Sequence, residues 1–128
     1  MYEINDQLAS HGLETQWGTG ITEEMIVKPD SHDTIRGFKV LDIRERMLDA
    51  PNPTHVYRRL VIEAIEMIKR YGKVVVCCSA GVSRSNSIAI GVLVKHFGFS
   101  FKEACNLVNR NVPIADISTC HLEKLKSL

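Results

Sequence analysis

Apolar positions recur at helical spacing through the second half of the chain. Val56, Leu60, Ala64, Ile65, Ile68 and Tyr71 share one face of a helix expected to begin at Thr54, its N-cap after Pro51-Asn52-Pro53. Gly72 stands where a glycine would end that helix. The following Lys73-Val-Val-Val-Cys77 is too apolar and β-branched for a surface segment, and predicts a buried central strand, parallel to its neighbours. A second helix is expected over about 84–97, with Ile88, Ala89, Val92, Leu93 and His96 on its buried side and Gly91 allowing close packing. Ser100-Phe-Lys-Glu103 is a capping box for a third helix, whose Ala104, Leu107 and Val108 face inward. Pro113 breaks that helix, and a last one over about 118–126 uses Leu122 and Leu125.

The first half is less regular. Ile4, Leu8 and Gly12 suggest a short first helix. Met25-Ile-Val27 and Phe38-Lys-Val-Leu-Asp-Ile43 read as strands, with a helical turn near residues 30–36 between them. Trp17 and residues 15–20 are expected to pack under the sheet. This alternation predicts an α/β fold: a central, mostly parallel twisted sheet of about four to five strands flanked by helices, with a helical C-terminal part. Residues 1–128 form one compact domain in this reading.

Composition narrows the function. With 45% hydrophobic and 24% charged residues, the chain can bury an ordinary globular core without metals or disulfides. The formal net charge is +1 and no run of like charge is long, so broad binding to nucleic acid or membranes is not expected. The polar start, Met-Tyr-Glu-Ile-Asn-Asp, lacks the apolar core of a signal peptide. A cytoplasmic, reducing setting is therefore expected, with Cys77, Cys78, Cys105 and Cys120 as free thiols. None of these cysteines has zinc spacing and the five histidines share no spacing, so neither a metal nor another cofactor is expected.

The chemistry concentrates in Cys78-Ser-Ala-Gly-Val-Ser-Arg-Ser85, placed between the predicted central strand and the second helix. A strand's carboxyl end delivers Cys78 to the crevice where α/β proteins bind ligands. Backbone N–H groups of Ser79, Ala80, Gly81, Val82 and Ser83 can converge on one anion there, under the positive end of the following helix. Arg84 adds a planar fork for two phosphate oxygens, and Gly81 supplies backbone freedom where a side chain would clash. The same field favours the thiolate, the nucleophilic form of cysteine. Ser85 is placed to stabilise that thiolate when it departs in a second step.

This motif resembles the signature loop of dual-specificity protein phosphatases, within the cysteine-based protein tyrosine phosphatase superfamily. The resemblance extends over about residues 41–125, through Asp49-Ala-Pro, the valine-rich strand and Asn-Val-Pro-Ile at 111–114. It implies a phosphotyrosine phosphatase-like fold and hydrolysis of phosphotyrosine, and of phosphoserine or phosphothreonine, on a phosphorylated protein substrate. It further implies a phosphocysteine intermediate on Cys78, with phosphate held by the loop amides and Arg84. The family's general acid is an aspartate about 30 residues upstream; Asp49 fits that position, and Asp42 is the alternative.

Two departures modify the expectation. Cys77 stands where relatives carry histidine, so Cys78 is expected to be less reactive than its counterpart in a histidine-bearing relative. Asp116-Ile-Ser118 replaces an asparagine-containing turn. Other function classes fit less well. Phosphoinositide and RNA 5′-phosphate enzymes of the superfamily favour lysines in the loop, and Ser79, Ala80, Val82 and Ser83 are neutral. A non-catalytic phosphoprotein-binding module would typically have lost the nucleophile, which this chain retains. Arsenate reduction or sulfur transfer would call for resolving cysteines, whereas Cys105 and Cys120 fall within the C-terminal helices.

Overall fold

The protein is represented by a computed structural model that describes residues 1–14 and 22–128. Trp17 and residues 15–20 lie outside the described residues. Five strands form one sheet in the order β1-β2-β5-β4-β3, with β1 Tyr2–Glu3, β2 Leu8–Gly12, β3 Thr34–Ile35, β4 Phe38–Asp42 and β5 Val74–Cys78. The three inner strands are parallel; the two short edge strands are antiparallel hairpin partners. Because β5 is paired on both sides and covered on both faces, all five of its residues are buried, as its unbroken apolar run predicts.

Four helices follow: α1 Thr54–Tyr71, α2 Arg84–Lys95, α3 Phe101–Asn111 and α4 Thr119–Lys126. Alternation along β5 divides the core. Val74, Val76 and Cys78 point to the helices with Leu8, Leu41, Tyr57, Leu60, Ile88 and Leu93. Val75 and Cys77 point the other way, into a smaller cluster with Ala9, Ile35 and Phe38 that is covered by Met1, Leu13 and Val27. Among the described residues, then, the packed helices lie on one face. Gly91 lets α2 approach α1 closely, since a Cβ there would stand 2.4 Å from Val61 Cγ2. The capping box Ser100–Glu103 forms with both of its hydrogen bonds.

Three expectations in the first half are corrected. Ile4, Leu8 and Gly12 do not form a helix. Asn5 Oδ1 accepts from Gln7 N–H at 2.8 Å, and this Asx turn reverses the chain so that Tyr2–Glu3 pairs with β2. Ile4 and Leu8 meet the same core from two sides of that turn, which imitates helical spacing. Residues 30–36 form a turn and a strand instead of a helical turn. Asp30 accepts from the backbone of His32 and Thr34, and Arg36-Gly37, both at positive φ, close the β3–β4 hairpin. Met25-Ile-Val27 is no strand: Glu23–Met25 is a single 3-10 turn, after which Val27 packs on the sheet without joining it. A smaller correction concerns α1, whose N-cap is Pro53, with Thr54 the first helical residue.

Candidate active site

The parallel inner strands end together, and β5 ends on Cys78. Cys78 is 2% exposed, at the base of a loop that runs directly into α2. The outward side of the loop is tied down peptide by peptide. The carbonyls of Cys78 and Ser79 accept from Leu13 and Glu14 N–H at 2.9 and 2.8 Å. Asn86 Nδ2 donates to the carbonyls of Gly81 and Val82 at 2.9 and 3.0 Å, and Asp116 N–H donates to Val82 as well. In a trans peptide the N–H points opposite to its C=O. Four carbonyls turned outward therefore turn the N–H groups of Ser79, Ala80, Val82 and Ser83 inward. The fifth, Gly81 N–H, donates to Cys78 Sγ at 3.3 Å.

Two glycines make the loop's sharp path feasible. Gly81 has φ +73°, and Gly12 at the end of β2 lies so close that a Cβ on it would stand 2.4 Å from the Ala80 carbonyl carbon. Gly12 was not apparent as a site residue in the sequence, because only the β2–β5 register places it opposite Cys78.

Ser85, the first residue of α2 after Arg84, lies beneath the sulfur, with Cys78 Sγ and Ser85 Oγ 3.3 Å apart. Behind it, Ser10 Oγ and Ser85 Oγ share a hydrogen bond of 2.7 Å, and both serines are fully buried. Ser10 is a second residue that sequence reasoning missed, since it comes from β2, 75 positions from Ser85.

Arg84 is held by its far edge. Nη1 donates to the carbonyls of Arg44 at 3.0 Å and Met47 at 3.2 Å, and Nη2 to Ser79 Oγ at 3.0 Å. Among the described residues Nε–H has no hydrogen-bond partner, so that edge of the guanidinium can be offered to the oxygens of a ligand. These bonds also dock residues 44–47 against the loop, and Asp49 follows two positions later. On the opposite flank, Ser83 Oγ bonds Ser118 Oγ at 3.1 Å and accepts Ser118 N–H at 3.0 Å. Ser118 thereby places the start of α4 beside the loop.

The two candidate aspartates differ sharply. Asp42 ends β4 and is gripped by Arg44, whose Nε and Nη2 donate to it at 2.7–3.1 Å. Burial pushes the Asp42 carboxyl upward, but the Arg44 side-chain and backbone hydrogen bonds outweigh it and hold the group below the usual carboxylate range. It is a charged structural partner, poorly suited to give a proton near neutral pH. Asp49 is 58% exposed at its side chain, and its Oδ1 is 3.3 Å from Nε2 of the buried His121.

Cys77 lies on the opposite face of the sheet from Cys78, fully buried. Burial, with smaller contributions from Asp42 and Cys78, pushes its thiol up to about 12 from an ordinary 9.0. Because the folded value is raised, the stabilisation is complete below about pH 9 and is lost as pH rises towards 12. The expected result is an unfolding free energy, from urea titration, that falls above pH 9 more steeply than in Cys77→Ala, by up to about 1.4 kcal/mol per pH unit. Equal slopes for the two proteins would contradict it.

No protein-family model matches the chain, and no curated protein matches it. Solved structures do. A Cydia pomonella PTP-2 phosphatase aligns at TM-score 0.67 and 19% identity over 98% of this chain and 88% of that one. The human tyrosine phosphatase-like serine/threonine/tyrosine-interacting protein aligns at TM-score 0.60 and 21% identity, covering 94% of this chain and 74% of that one. PTPMT1, solved in complex with PI(5)P, aligns at TM-score 0.55 and 22% identity over 63% of this chain. That match takes in only about half, 52%, of the PTPMT1 chain. At these identities the likeness establishes the fold, which is that of the protein tyrosine and dual-specificity phosphatases.

Proposed function

We propose that this protein is a cysteine-dependent phosphatase that hydrolyses phosphotyrosine, and phosphoserine or phosphothreonine, on proteins. The observation that carries this reading is the loop itself: outward-tied carbonyls and inward N–H groups surround a buried cysteine sulfur at the start of a helix.

The proposed steps build on that loop. The Cys78 thiolate attacks phosphorus, forming an S–P bond as the bond to the leaving oxygen breaks. The loop amides and the free edge of Arg84 hold the three equatorial oxygens, where charge is spread in the transition state. Asp49 gives its proton to the leaving oxygen. In the second step it takes a proton from the water that attacks phosphorus, and the S–P bond breaks to release phosphate. Ser85 donates a hydrogen bond to the departing thiolate and accepts one from Ser10.

Protein substrates are favoured by the surroundings. A cleft of about 550 Å³ beside Ser79 is lined by Glu14, Asp42, Arg44, Glu45 and Arg46. Arg44 is paired with Asp42 and Glu14, and Arg46 with Glu63, so the rim alternates in sign. A peptide of mixed charge suits that rim better than a polyphosphorylated ligand, which would draw unpaired cations. Leu48, 65% exposed next to Asp49, offers an apolar contact for a residue flanking the phosphorylated one.

The test is turnover of para-nitrophenyl phosphate and of a panel of phosphotyrosine, phosphoserine and phosphothreonine peptides. Release of inorganic phosphate well above a Cys78→Ser control is expected, together with acid-stable phosphate on Cys78 after rapid quenching. Tight peptide binding without turnover would instead make the protein a phosphoprotein-binding module.

A further inference from the structure

His121 is fully buried in α4, while the carboxylate it touches is exposed. Its two ring nitrogens face different partners. Nδ1 is 2.6 Å from Tyr57 Oη in α1, with the Cys120 thiol sulfur a longer second neighbour at 3.8 Å, and Nε2 is 3.3 Å from Asp49 Oδ1. Tyr57 is buried too, and the two rings pack edge to face with centroids 5.6 Å apart. Behind Tyr57 stands Asn52, whose side chain braces the loop that carries Asp49.

The direction of this chain is set by one backbone group. Leu48 N–H can only donate, and it donates to Asn52 Oδ1 at 2.8 Å. The other end of that amide is therefore the nitrogen, which donates to the carbonyls of Leu48 and Ala50 at 2.9 Å and reaches Tyr57 Oη at 3.3 Å. An amide nitrogen accepts nothing, so the tyrosine hydrogen is free to go to His121 Nδ1. Burial pushes the Tyr57 phenol up, against the opposing Asn52 hydrogen bonds, and it stays protonated. A neutral imidazole that accepts at Nδ1 carries its hydrogen on Nε2, and that hydrogen points at Asp49 Oδ1.

We infer that His121, oriented by Tyr57, is a positioning residue for Asp49: it fixes Oδ1 and leaves Oδ2 to carry the proton toward the leaving group. The inference rests on the reading of Asp49 as general acid. It adds a reason why an exposed loop aspartate can serve that role. Held only by its own loop, an exposed carboxylate samples many rotamers; tied to a buried ring, it keeps one orientation through both steps. His121 also couples the acid loop to α4, whose first turn follows Ser118 and its bonds to Ser83 of the phosphate loop. The sequence signal was slight: His121 and Leu125, four apart, share the buried stripe of α4.

The experiment measures kcat across aryl and alkyl phosphates of increasing leaving-group basicity for wild type, His121→Gln, His121→Phe and Tyr57→Phe. Loss of acid positioning penalises poor leaving groups selectively. For His121→Phe, kcat on an alkyl phosphate is expected to fall about tenfold or more, and on para-nitrophenyl phosphate only slightly. His121→Gln keeps an N–H donor and should recover part of the loss. Tyr57→Phe deletes a hydroxyl and no bulk, and should show the same selectivity more weakly. In an Asp49→Asn background, His121→Phe should add nothing. Equal losses on all leaving groups, or a full further loss in that background, would overturn the inference. If Asp49→Asn itself lacked leaving-group selectivity, the general-acid reading would fail instead.

Discussion

Cys78→Ser should bring hydrolysis of para-nitrophenyl phosphate to background, a loss of at least about 10⁴-fold, while leaving the fold and the anion site in place. The exchange of sulfur for oxygen is nearly isosteric at a residue already packed against Ser85 and Gly81. An alcohol there has no adjacent base: its neighbours are the Ser85 hydroxyl and amide N–H groups, which donate to an anion and remove no proton. The amide cradle and the free edge of Arg84 depend on bonds to Leu13, Glu14, Asn86, Asp116, Arg44 and Met47, none of which involves the sulfur. The variant should therefore still bind a phosphotyrosine peptide in calorimetry, with wild-type thermal stability. Turnover within tenfold of wild type would remove Cys78 from the mechanism.

The second large effect is expected at Asp49. Asp49→Asn should lower kcat on alkyl phosphate esters by about 10²–10⁴-fold, the usual range for a general acid, and much less on para-nitrophenyl phosphate. An alkoxide leaves poorly unless protonated in the transition state, whereas para-nitrophenolate leaves readily. Asp42→Asn is the control. Asp42 keeps its charge through Arg44, so its replacement should cost a few-fold and without leaving-group selectivity, through the loosened rim. Reversal of the two profiles would transfer the acid role to Asp42.

The second half of the chain was legible because its signals are local. A capping box, a terminal glycine and an i, i+4 apolar stripe act within one or two turns, so α1, α3 and the strand before Cys78 lie close to where the spacing put them. The first half was not. In Ile4 to Gly12 the apolar spacing fits a helix, but the Asn5 turn and the open edge of β5 decide for two strands. Thr34–Ile35 is too short to show a period, and its hairpin depends on the positive φ of Arg36 and Gly37.

The candidate site divides in the same way. Cys78, Arg84, Ser85 and the loop between them are contiguous, so their chemistry could be read from residue order and the strand and helix on either side. Ser10, Gly12, Tyr57 and His121 are brought in by pairing and packing across 64 to 75 residues, or by strand register, and no local pattern marks them as site residues beyond the buried stripe that His121 shares with Leu125. Asp49 lies between these cases: its place in the chain nominates it, and what separates it from Asp42 in the proposed role, the Arg44 clamp on Asp42 and the His121 contact of Asp49, is tertiary. The sequence by itself determined the strand, loop and helix around Cys78, because a strand end, a glycine and a helix start act on one another within eight residues. Only the tertiary structure decided which carboxylate Arg44 clamps and which one meets a buried histidine, because those contacts depend on partners that come together after the chain has folded.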